Sequence, residues 1–179
     1  TDRDLDALSL LDELRLMNSH QMRLLFGEEF VRSRLKRLYH HGYIDRIDAQ
    51  RRVRLLKGGG SEALVLALAS KGAQILKQHD RLLHDRRDWS ERNRLFKPSS
   101  LPHPLAVSEV AVAFEQMTKT NNRFSLTRLP HSASLLAPGR EAPLIPDLIH
   151  ELVHDDGRKV VFFIEVDCGT EPNSRHEKS

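Results

Sequence analysis

A chain of 179 residues, 39% hydrophobic and 30% charged, reads as globular and is long enough to bury one core or two small ones. Its longest central apolar run, Ala63 to Ala69, falls far short of the roughly 20 residues of a membrane span, and a single cysteine, Cys168, excludes an internal disulfide and fits a reducing, cytoplasmic setting. The formal net charge of +3 is unevenly placed: residues 1–100 carry 20 Lys and Arg against 14 Asp and Glu, residues 101–179 carry 8 against 11, and residues 31–57 alone hold nine basic and two acidic residues. That last stretch is the electrostatic footprint of a nucleic-acid face.

Leu5, Leu8, Leu11 and Leu14 recur at helical spacing behind an acidic first turn, which predicts a first helix. Asn18-Ser19 offers an N-cap for a short second helix, H-Q-M-R-L-L-F, ended by Gly27. A third helix is expected from Glu29 to Gly42, with Phe30 or Val31, Leu35 and Leu38 inward and Arg32, Ser33, Arg34, Lys36 and Arg37 outward. G-Y-I-D-R-I follows, then a charged strand R-R-V-R-L-L-K, a G-G-G-S turn and the strand E-A-L-V-L-A-L. This order describes a winged helix-turn-helix. The third helix would enter the major groove of double-stranded DNA, with Arg34 or Arg37 reading a guanine edge. Arg51, Arg52, Arg54 and Lys57 on the wing would contact phosphates. Gly58-Gly59-Gly60 joins two strands rather than a strand and a helix, so it is a wing tip and not a phosphate loop.

Ser70 can cap a further helix that runs on to Phe96. Ile75, Leu82, Trp89 and Phe96 recur in it every seven residues, which suits either a homodimer seam or packing against the second domain. Three prolines in K-P-S-S-L-P-H-P mark a linker. The expected organisation is therefore a DNA-binding domain over residues 1–96 with a long C-terminal helix, a linker over 97–104 and a second domain over 105–179.

That second domain should open with a helix at Pro104, with Val107, Val110, Phe114 and Met117 on one face. Extended segments follow near Phe124–Leu129, Leu144–Val153 and Val160–Val166. H-E-L-V-H at residues 150–154, which overlaps the end of the middle one, has the form that helical zinc peptidases use to hold their metal. The surrounding residues argue for strand instead, with His154-Asp155-Asp156-Gly157 as a hairpin turn, V-V-F-F-I-E-V as a buried strand and both histidines exposed. On a strand the two histidines stand about 13 Å apart, too far for one zinc ion.

A helix followed by antiparallel strands, with Asp147 after Pro146 and Glu165-Val166-Asp167 at the end of the last strand, is the order of the PD-(D/E)xK nuclease core. Such a site gathers carboxylates around Mg²⁺ or Mn²⁺ and adds a lysine to stabilise charge on the phosphate. Here Asp167 occupies the lysine's place. R-L-K-R-L-Y-H-H-G-Y-I-D-R, L-A-S-K-G-A-Q-I-L, L-P-H-P-L-A-V-S-E-V, and P-D-L-I leading to F-F-I-E-V-D-C-G-T-E together resemble the replication-relaxation family of bacterial plasmids and mobile elements.

The resemblance implies an α+β chain: a winged helix-turn-helix, then a partial, degenerate PD-(D/E)xK-like α/β domain that continues beyond Ser179. It implies a DNA-binding role in replication, mobilisation or transcriptional control, with other replication or mobilisation proteins as partners and no membrane. Asp147, Glu165 and Asp167 match the family's acidic pocket and Glu109 its preceding acid. His103 matches a family histidine without an assigned role, and Lys178 is the candidate for a displaced lysine. A metal-dependent DNA nuclease is the alternative reading and a zinc peptidase a remote one. No cofactor is required for DNA binding, whereas the pocket would take Mg²⁺ or Mn²⁺.

Overall fold

The computed structural model describes residues 1–48, 63–86, 88–129 and 145–169. Among these residues it is an α+β arrangement of helices and two three-stranded antiparallel sheets. The chain divides into two units, Thr1–Asn121 and Asn122–Ser179.

The first unit opens with α1 (Asp2–Leu14), which buries Leu5, Leu8, Leu11 and Leu14 as their spacing predicts. A two-residue strand, β1 (Met17–Asn18), leads into α2 (Ser19–Phe26). Asn18 Oδ1 accepts the Gln21 N–H at 2.9 Å, and Gln21 Oε1 accepts the Asn18 N–H at 2.8 Å. This reciprocal capping box fixes the start of α2.

The third helix is not the uniform α-helix expected. Phe30–Leu35 is π-helical, and α3 proper spans Lys36–His40. Phe30 and Leu35 are both buried and stand five residues apart, a spacing that a turn closing from i to i+5 stacks on one face and an α-turn does not. β2 (Ile44–Arg46) and β3 (Val65–Leu68) follow, and the sheet order is β1-β3-β2, with Met17 opposite Leu66 and Ile44 opposite Leu68. The wing strand expected at residues 51–57 and its glycine tip at 58–60 lie outside the described residues. Beneath the sheet, Leu16, Ile47, Val65, Ala67 and Leu101 form a buried cluster.

α4 (Ser70–Gln78) packs so close to the preceding turn that a Cβ on Gly72 would stand 2.2 Å from the Tyr43 carbonyl oxygen. The helix stops there instead of running to Phe96. Buried Asp12 accepts the N–H groups of Leu83 and His84 at 2.6 and 3.3 Å, so a carboxylate on α1 satisfies backbone that a continued helix would have paired with itself. Helix resumes only at α5 (Trp89–Arg94), and the seven-residue repeat never lines one helix.

After a 3₁₀ turn at Pro98–Ser100, α6 runs from Pro102 to Thr120, two residues earlier than expected. It belongs to the first unit, not to the second domain that its sequence suggested. Gln21 Nε2 donates to the Leu105 carbonyl at 3.2 Å and to Glu109 at 2.9 Å, Lys119 Nζ donates to the Leu25 carbonyl at 2.9 Å, and the Ser108 hydroxyl donates to the Leu16 carbonyl. The prolines of residues 97–104 thus turn the chain within a unit. The buried face of α6 is Val107, Ser108, Ala111 and Val112, and Met117 is exposed.

The second unit is a sheet in the order β4-β5-β6, built from β4 (Phe124–Arg128), β5 (Leu148–His154) and β6 (Lys159–Ile164). β5 and β6 are joined at the turn foreseen, where Gly157 takes φ +86° and its N–H donates to the His154 carbonyl at 2.9 Å. Two expectations are corrected. His150 is fully buried and the His154 side chain is 10% exposed, because β5 is the middle strand. β6 is the exposed one, with Val160 at 53% and Phe163 at 40%, because among the described residues it is an edge strand paired on one side only.

Candidate nucleic-acid interface

The outward side chains of the third helix fall into two groups. In the π-helical part, each finds a partner within the protein. Arg32 Nε donates to Glu28 Oε1 at 3.0 Å, and the Ser33 hydroxyl donates to the Glu29 carbonyl at 2.8 Å. Arg34 is held by α1: Nε donates to Asp4 Oδ1 at 3.0 Å and Nη2 donates to Oδ2. The pair is bidentate, the strong form of the arginine–carboxylate contact. Burial of Asp4 would raise its pKa, but hydrogen bonds from Arg34 and Thr1 outweigh that and hold it at about 2. Asp4 in turn raises the pKa of Arg34.

In the α-helical part, Lys36 and Arg37 are exposed and, among the described residues, make no ion pair. The next turn adds Tyr39 and His40, also exposed. Arg46 of β2 lays its guanidinium on the Tyr39 ring, 4.3 Å from the centroid. Arg32, Lys36, Tyr39, His40 and Arg46 line one groove of about 350 Å³ between this helix and the sheet. A groove walled by three cations and an aromatic ring suits a phosphate backbone. Arg46 escaped the sequence reading because its place beside the helix depends on strand register. Arg51, Arg52, Arg54 and Lys57 lie outside the described residues.

In the second unit, H-E-L-V-H is β5 from end to end, so His150 and Glu151 point to opposite faces of a strand and not around one helical turn. Burial, and then the nearby Arg128 charge, push the His150 pKa down to about 4. Its neutral ring is therefore part of the folded sheet. Glu151 forms a salt bridge with Lys159 across the hairpin at 3.1 Å.

The ladder pairs Leu148 with Ile164, and continuing that register by one step sets Asp147 opposite Glu165. Asp147 Oδ2 accepts the Val166 N–H at 2.8 Å, and Asp167 Oδ1 accepts the Gly169 N–H at 2.7 Å. The backbone of E-V-D thus comes to Asp147 as the hairpin suggested. Asp147, Glu165 and Asp167 do not form a set of three whose carboxylate oxygens all lie within 4.8 Å of one another. Among the described residues, the three-member grouping at that distance is His154, Asp155 and Asp156 around the turn. Glu109 is on α6, exposed, accepting from Gln21, and Lys178 lies outside the described residues.

The fold and the groove define a two-unit α+β protein whose first unit presents a basic helix beside a small sheet. The family description of replication-relaxation proteins matches residues 8–179. The chain belongs to the replication-relaxation family. No curated protein and no solved structure matches it. No described helix is long and apolar enough to cross a membrane.

Proposed function

We infer that the protein serves the replication or relaxation of plasmid or mobile-element DNA, a role its family membership supports. We propose that the first unit is a winged helix-turn-helix that binds double-stranded DNA and serves that process, or mobilisation or transcriptional control, as a DNA-binding protein rather than as an enzyme. The element order α1–β1–α2–α3–β2–β3, with β3 in the middle of the sheet, supports the motif. The observation that carries the reading is the groove in which Lys36 and Arg46, neither in an ion pair among the described residues, flank Tyr39, with Arg37 exposed on the same helix. With Arg34 tied to Asp4, Arg37 is the better placed of the two to read a guanine edge. Arg32 and the wing residues Arg51, Arg52, Arg54 and Lys57 would hold phosphates.

Nuclease activity is not favoured. Asp167 brings a negative charge to the position where a lysine would stabilise the phosphate, and Asp147 gives one oxygen to the Val166 amide. The acidic end of the second sheet would bind Mg²⁺ or Mn²⁺ weakly. Footprinting on DNA flanking the protein's own coding region, with and without Mg²⁺, tests both points at once. Protection of a discrete site without cutting is expected; Mg²⁺-dependent cutting in place of protection would make the nuclease the better reading.

A further inference from the structure

The most unusual cluster of charge in the first unit lies away from the groove, where α1 ends. Arg15 closes that helix at φ 68°, a conformation uncommon for a side chain other than glycine. Its guanidinium lies 5.1 Å from the Trp89 ring centroid and 5.0 Å from that of Phe96. Arg86 lies over the same tryptophan at 5.5 Å. Arg15, Arg86, Arg92, Lys97, Phe96 and Ser100 line a cavity of about 500 Å³.

The four cations of this cavity make no ion pair among the described residues. Arg15 Nη1 is buried with no hydrogen-bond partner, and so is the indole Nε1 of Trp89, itself 2% exposed. Burial first, and then repulsion from Arg86 and Arg92, lower the Arg15 pKa to about 10, so the cluster costs free energy as it stands. Packing alone gives no reason to assemble like charges around a buried donor; a compensating anion does. The volume lies within the roughly 300–1,000 Å³ of small-ligand sites and exceeds what a bare phosphate needs. Phe96 and Leu95 supply an apolar wall for the rest of the ligand.

We propose that the cavity bounded by Arg15, Arg86, Arg92 and Lys97 is a phosphate-binding site of nucleotide size, distinct from the groove beside α3. The guanidiniums of Arg86 and Arg92 and the Lys97 ammonium would take the phosphate oxygens, and Arg15, stacked between two aromatic rings, would give its unused N–H. The nucleotide is either free in solution or a unit of a DNA strand; the chemistry recognised is the same.

Trp89 is the only tryptophan in the chain and lies directly beneath two of the arginines, so its emission reports on the site. The intact protein would be titrated with inorganic pyrophosphate, with deoxythymidine triphosphate and with a duplex of arbitrary sequence. At least one probe should change Trp89 emission saturably, and the Arg86→Gln/Arg92→Gln variant should need at least tenfold more of it. Saturation by either small anion identifies a free nucleotide as the source, and saturation by the duplex alone identifies the strand. The variant Lys36→Ala/Arg37→Ala should retain the response to pyrophosphate and triphosphate, which separates this site from the α3 groove. Melting curves check folding, and Lys97→Glu, at an exposed position, repeats the test with one substitution. The proposal is overturned if no probe changes the emission saturably, or if the folded charge variants bind as the wild type does.

Discussion

Asp4 decides what its arginine partner can do. By accepting from Nε and Nη2 of Arg34, it turns one of two equivalent-looking outward arginines into a brace between α1 and the third helix. Arg37→Ala should therefore cost about 1–3 kcal/mol in discrimination against a mismatched site, measured by competition between related duplexes. Arg34→Gln should lower the melting temperature and leave that discrimination largely intact; the reverse pattern would reassign the two arginines. The Asp4 pKa also gives a signed pH dependence. It is depressed to about 2 from 3.8, so its stabilising contribution is complete above about pH 4 and is lost as pH falls towards 2. Asp4→Asn should melt below the wild type at pH 7, with the gap closing across that acidic window. A gap independent of pH would mean that the carboxylate's charge is not what holds Arg34. His150 behaves in the opposite chemical sense but with the same direction in pH. Its pKa is lowered from 6.5 to about 4, so the unfolded chain takes the proton first and stability falls as pH drops from about 6.5 to 4. Replacing His150 by Leu should flatten the pH dependence of melting in that range.

At the scale of elements, the sequence was most legible where a local pattern and a local structure coincide. The leucine stripe of α1, the Asn18 cap and the Asp-Gly hairpin all depend on residues within a few positions of one another, and all are found. The π-helical stretch at Phe30–Leu35 was partly legible: five-residue spacing of the two buried side chains was visible, but an α-helix can accommodate such a sequence unless both positions must face one core. The end of α4 was not legible, because it depends on Asp12, about seventy positions away. Gly72 is the element-level test. A methyl group there meets a backbone carbonyl that already accepts the Ala69 N–H at 3.1 Å and cannot easily move. Gly72→Ala should destabilise the protein by about 1–3 kcal/mol, as overpacking does, even though alanine is the better helix former. Unchanged or increased denaturation midpoints would show that α4 shifts freely off β2.

Across the whole molecule, the charge asymmetry between the two halves was the best long-range signal in the sequence, and the basic helix that it pointed to is present in the first unit. The linker was misplaced for a physical reason. Prolines end helices whether or not a domain ends there, and the Gln21–Glu109 and Lys119–Leu25 contacts that bind α6 to the first unit join residues more than eighty positions apart. The acidic residues of the second unit were recognisable as a series, but their order along the chain does not set the distance between their oxygens. Calorimetry with Mn²⁺ should accordingly show only high-micromolar to millimolar binding, as for exposed oxygen sites, reduced in Asp147→Asn; equal heats from both proteins would remove Asp147 from any cation site.

The proposed role of the third helix of the first unit is to hold double-stranded DNA. It is tested most directly by the salt dependence of duplex binding, measured by fluorescence anisotropy on the wild type and on Lys36→Ala/Arg37→Ala. At least a tenfold loss of affinity is expected in the variant, together with a smaller slope of log affinity against log salt, by about 0.9 for each phosphate contact removed. Wild-type affinity and slope in a variant that melts normally would contradict it.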